Sequence, residues 1–198
     1  MKSYQNHLKS VNNDNNYLQR KPIFRSSAIF PFLLNKELNT NIYFLGYWLI
    51  KRKIKEVNLL VTIRNTVGKI IRRESILIDK VKSFNLSLKK YLKVKKNEHV
   101  FGSIELEIFS SQDMVYPFPA FVINLKGSDT SSFVHTCGRV YNDITDLESN
   151  NSELTPESGF DISEKKNCTP FFSFVNGPKK IINEKINLSL VNHKGSIQ

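Results

Sequence analysis

Cysteine is nearly absent from this chain: Cys137 and Cys168 are the only two among 198 residues. Two thiols cannot build the disulfide framework of a small secreted domain, so packing has to hold the fold. Glycine (8) and proline (7) are too few for a fibrous or low-complexity protein. No apolar run approaches the roughly 20 residues that a membrane-crossing helix needs. The opening residues, Met-Lys-Ser-Tyr-Gln-Asn-His, lack the apolar stretch of a secretory leader. With both thiols expected to be reduced, these features read as a soluble, cytoplasmic protein. Also missing are a glycine-rich phosphate loop, a G-x-S-x-G elbow, an H-E-x-x-H pair, a dinucleotide fingerprint, a zinc finger and an RNA-recognition signature. A catalytic role therefore has no motif behind it.

Positive charge is what the chain has in excess, with Lys+Arg 29 against Asp+Glu 18 and a formal net charge of +11. The excess is lysine. Arginine, which binds phosphate in a bidentate fork and stacks on bases, is scarce, and this disfavours nucleic acid as a partner. The charge is uneven along the chain. Basic residues dominate from Lys51 to Lys96, and acidic ones from Asp143 to Glu164. An interaction protein whose basic 51–96 stretch meets an acidic protein partner or a nucleic acid is the alternative that this distribution supports, with nucleic acid the less favoured of the two.

Hydrophobic residues make up 40% of the chain, enough for a core, and their spacing is mostly two. Val57, Leu59, Val61 and Ile63 alternate with Asn58, Leu60, Thr62 and Arg64. Phe84, Leu86 and Leu88 alternate with polar residues, as do Ile104, Leu106 and Ile108 with Glu105 and Glu107. Asn65-Thr66-Val67-Gly68 supplies turn chemistry between two apolar runs, a hairpin signal. Ile23–Leu34 is interrupted by Pro31, which suits an edge strand. Ile42–Ile50 reads as a core strand holding Trp48. Further strands are expected after the Pro117-Phe118-Pro119 bend, over Ser131–Tyr141, and as a last pair over Thr169–Val175 and Ile186–Val191. The Phe171-Phe172-Ser173-Phe174 run reads as core material.

No stretch keeps a helical period for several turns. The expected fold is all-β: an antiparallel two-sheet β-sandwich, immunoglobulin-like or jelly-roll, of about eight or nine strands. Residues 1–20, polar and without periodicity, read as a disordered N-terminal tail, and 21–198 as a single sandwich domain.

The segment starting at Ser131 concentrates reactive side chains. If extended, it puts Phe133, His135, Cys137, Arg139 and Tyr141 on one face and Val134, Thr136, Gly138 and Val140 on the other. His135, Cys137, Arg139 and Tyr141 are the candidate ligand-binding residues: an imidazole, a thiol, a guanidinium and a phenol suited to a carbohydrate or another polar, anionic small molecule. Asn142, Asp143, Asp146 and Glu148 follow as a cluster of oxygen ligands, the candidate metal loop, and calcium is the ion such a loop would take. No other cofactor is expected. The resulting functional expectation is a non-catalytic binding module. A small enzyme acting on a sugar or ester, with His135 as base or Cys137 as nucleophile, is the remaining alternative.

Overall fold

The computed structural model describes residues 23–95, 98–112, 114, 120–135, 172–175, 189–192 and 194–195. Among these residues eight strands form two four-stranded antiparallel sheets. These are β1 (Phe24–Leu34), β2 (Asn39–Leu45), β3 (Val57–Asn65), β4 (Ile70–Ile78), β5 (Ser83–Ser87), β6 (Val100–Ser110), β7 (Val122–Lys126) and β8 (Ser131–His135). The first sheet has the order β1-β6-β3-β4 and the second β5-β2-β7-β8. Only the β3–β4 and β7–β8 links are hairpins, and every other link passes from one sheet to the other. The two-sheet sandwich expected from the alternating pattern is the fold. No helix among the described residues is long and apolar enough to cross a membrane.

Period two becomes a core because each strand turns one set of side chains inward. Val57, Leu59, Val61 and Ile63 of β3 meet Ile104, Leu106 and Ile108 of β6, with Ala28, Phe30, Phe32 and Leu34 of β1 beyond them. Ile42 and Phe44 of β2, Leu86 of β5 and Ile123 of β7 close the same cluster from the second sheet. Each such aliphatic or aromatic burial contributes about 1.5–3 kcal/mol. β1 lies at a sheet edge, where its Pro31 costs no ladder bond.

Side-chain oxygens fix the corners. Asn35 Oδ1 accepts from the backbone N–H groups of Glu37 and Leu38, and Thr40 Oγ1 donates to the Leu33 carbonyl, which turns the chain from β1 into β2. Asn65 Oδ1 accepts from the N–H groups of Val67 and Lys69, and Gly68 takes a positive φ of 81°, closing the expected β3–β4 hairpin.

Three expectations need correction. The strand expected over Ile42–Ile50 ends at Leu45, and Tyr47–Lys51 forms a short helix, α1. Gly46 donates to the Lys82 carbonyl, and a Cβ there would sit 2.7 Å from the Lys80 oxygen, so the close approach of these backbones ends the strand. Trp48 is core as expected, but from α1: at 1% exposure it plugs the end of the sandwich against Phe44 and Phe121, ring centroids 6.3 Å from each. The last strand pair is not found over its described part. Phe172–Val175 lies in no strand, Val191 makes only an isolated bridge, and Phe172 and Phe174 are half exposed rather than core. Finally, Glu105 and Glu107, the polar half of an alternating pattern, are each only 8% exposed. Arg25 donates to both, at 3.2 and 2.9 Å, and Arg64 donates to Glu105 at 2.7 Å. Paired guanidinium groups are what make such carboxylates tolerable under cover.

Candidate functional site

β8 is extended, as the alternation of its sequence requires, from Ser131 to His135. Its register against β7 pairs Val122 with His135, Asn124 with Phe133 and Lys126 with Ser131. Because Ile123 belongs to the core, Val122, Asn124 and Lys126 face outward, and so do Ser131, Phe133 and His135. Phe133 is 65% exposed. His135 therefore stands on the outer face of the β5-β2-β7-β8 sheet. Cys137, Arg139 and Tyr141 lie outside the described residues, as do Asn142, Asp143, Asp146 and Glu148 and the residues 1–20 read as a tail. Among the described residues no group of histidine, cysteine and acidic side chains is arranged to hold a metal ion.

The register extends this face across all four strands. One row runs Asn85, Tyr43, Val122, His135, and the next runs Ser87, Asn41, Asn124, Phe133. Neighbouring strands are about 4.8 Å apart, so each row spans about 14 Å, and Tyr43 and His135 stand about 10 Å from one another. Two aromatic rings, an imidazole and a band of amides are brought onto one surface from four separate parts of the chain.

The amides are ordered by their neighbours. Asn39 Nδ2 donates to Asn41 Oδ1 and to Ser87 Oγ, both at 2.9 Å. Asn39 Oδ1 accepts from the Lys89 backbone N–H at 3.3 Å. Asn124 Nδ2 donates to Ser131 Oγ at 2.7 Å and to the Ser132 carbonyl at 3.3 Å. Asn41 and Asn124, facing each other on β2 and β7, are themselves buried. The more exposed groups, Tyr43, Asn85, Phe133 and His135, sit around this fixed amide centre. Such a surface offers rings for stacking and held polar groups for hydrogen bonding.

Tyr43, Asn41, Asn85 and Asn124 were not among the residues singled out from the sequence. The dense apolar run beginning at Ile42 hides Tyr43 as core material. The signal that finds it is the alternation of Asn39, Asn41 and Tyr43 against Thr40, Ile42 and Phe44, which identifies two faces even before the partner strands are known.

Comparison with protein families, with curated proteins and with solved structures gives no match. The functional reading therefore rests on the chemistry of this face.

Proposed function

We propose that this protein is a non-catalytic β-sandwich binding module that takes a carbohydrate, or a polar ligand of similar chemistry, on the outer face of its β5-β2-β7-β8 sheet. The observation that carries the reading is the row Asn85–Tyr43–Val122–His135 lying beside Asn41–Asn124–Phe133. A sugar presents an apolar ring face and a rim of hydroxyls. An exposed tyrosine and phenylalanine stack on the first, while the exposed Asn85 amide and the His135 imidazole donate to and accept from the second. A face of about 14 Å matches two or three sugar rings placed across the strands.

The sequence after His135 continues the same alternation through Cys137, Arg139 and Tyr141, and these residues belong to the proposal as extensions of the face. Arg139 would bring bidentate hydrogen bonding to an acidic sugar or another anion.

Glycan-array screening followed by calorimetric titration of the full chain tests the reading. Replacing Tyr43, Phe133 or His135 by alanine is expected to weaken binding about tenfold each, corresponding to about 1.4 kcal/mol. Arg139→Ala in the same titration reports whether the face continues past β8. A glycan that binds wild type and all of these variants equally removes the face from the argument, and an array with no bound glycan removes the carbohydrate.

A further inference from the structure

Among the described residues, two of the four sheet edges are guarded in ways that folded proteins use against edge-to-edge pairing: β1 carries Pro31, and β5 is only five residues long. β4 is different. It runs nine residues, Ile70–Ile78, without proline or glycine, and among the described residues it pairs only with β3. The register shift opposite Ile63 and Arg64 sets Ile71 aside and leaves Arg72–Ile78 regular, about 23 Å of strand. Exposed apolar side chains lie at both ends of the element: Val67 at the hairpin tip with Ile70 and Ile71 near it, and Leu77 with, past the strand, Val81. The charge beside them has one dominant sign. Lys69, Arg72, Arg73, Lys80 and Lys82 stand against Glu74 and Asp79, and Glu74 is already held by Arg72 at 3.0 Å.

We propose that β4 is a docking edge for an extended acidic segment of a partner protein, which adds to the first sheet as a fifth strand. Main-chain hydrogen bonds to Arg72–Ile78 supply the affinity, and the side chains supply the choice of partner. Because successive residues of β4 face opposite sides, acidic residues of the incoming strand meet Arg72 on one side, with Lys69 near the hairpin end, and its apolar residues cover Leu77 on the other side, which also carries Arg73. A second copy of β4 and a membrane surface are the other occupants, and the test separates them from the acidic strand.

The test uses the full chain and a fluorescein-labelled decapeptide of alternating glutamate and valine, compared with its lysine-for-glutamate counterpart by fluorescence anisotropy. The acidic peptide is expected to bind at least tenfold more tightly and to lose affinity as salt is raised. The Arg72→Glu/Arg73→Glu double variant should bind it at least tenfold more weakly, while Lys36→Glu, an exposed cation in the β1–β2 turn beside the opposite edge of the sheet, should not change it. Because the two arginines also touch Tyr91 and Thr62, hydrogen exchange on the wild-type chain provides a readout independent of the variants: amides of Arg72–Ile78 should slow on addition of the acidic peptide. Equal binding of both peptides, or unchanged exchange over β4, overturns the proposal. So does a concentration-dependent dimer that protects these amides without peptide, or co-sedimentation with phosphatidylserine vesicles in the absence of peptide binding.

Discussion

Gly102 on β6 lies beneath the ring of Phe32, its register partner on β1. A Cβ at this position would come within 2.9 Å of Phe32 Cε1 and would collide with the carbonyl oxygen of Arg64 on β3. The absence of a side chain is what lets β6 run between its two neighbours while a phenylalanine fills the end of the core. Gly102→Ala is expected to cost about 1–3 kcal/mol, the usual range for overpacking, since a backbone carbonyl cannot rotate away. Urea unfolding measures it, and a variant with the midpoint of wild type would show that the strands have room to part.

Ser26 presents the opposite defect. Its side chain points into the core opposite Ile108, it is 1% exposed, and its Oγ has no hydrogen-bond partner. A buried hydroxyl without a partner costs about 1–3 kcal/mol of desolvation. Ser26→Ala should therefore raise the unfolding midpoint by the equivalent of about 1 kcal/mol, the lower end because alanine fills slightly less space. A drop in stability would mean that the hydroxyl has a use.

Two ion pairs of similar length should differ in worth. Glu105 is enclosed by Arg25 and Arg64, whereas Arg72 and Glu74 meet at 3.0 Å in a much more open setting. Removing the covered carboxylate takes the counter-charge from the partly buried Arg64 and leaves Glu107 as the carboxylate paired with Arg25. Glu105→Ala is expected to cost about 2 kcal/mol, below the 3–5 kcal/mol of a fully buried pair because both arginines retain some water. Glu74→Ala should cost no more than about 0.5 kcal/mol. Chemical denaturation of both variants checks the ranking, and equal losses would contradict it.

Tyr91 follows the short turn after β5 and has the Arg72 guanidinium 5.2 Å from its ring centroid. Its hydroxyl titrates above the ordinary 10.0, first because burial disfavours the phenolate, then because the Glu74 carboxylate repels it, with Arg72 pulling weakly the other way. The native state thus holds this proton more tightly than the unfolded chain does. The contribution is fully present below pH 10 and is lost as pH rises through the raised native value, where unfolding releases a proton. Tyr91→Phe should flatten that part of the alkaline stability profile. In absorbance titration the component missing from the variant should lie above pH 10, and a missing component at or below 10 would contradict the assignment.

Strand positions were legible wherever one face of a strand is apolar and the other polar. β3, β5 and β6 appear in the sequence as clean alternation, and Asn65–Gly68 announces its hairpin. Legibility fails where a local pattern serves another purpose. Tyr47–Ile50 has the composition of a strand but turns into a helix, because the backbone at Gly46 is pressed against Lys80 and Lys82. Phe172 and Phe174 have the composition of core and yet stand half exposed. Of the candidate face, Phe133 and His135 could be read from their own strand, and Tyr43, Asn85, Asn41 and Asn124 could not, since what joins them to it is the pairing of β5, β2, β7 and β8.

The sequence alone determined that this is an antiparallel all-β protein, since a period of two without a helical period buries apolar residues only in strands, and the structure decided for two stacked sheets. It also determined which side chains of β3, β5 and β6 turn inward, but not those of β8, where Val134, expected toward the core, is 44% exposed. Which strands became neighbours was decided only by tertiary structure, because alternation specifies a face and says nothing of the strand beside it. That pairing put Tyr43 in the same row as His135, slid Arg25 and Arg64 over two glutamates, and left β4 at an edge.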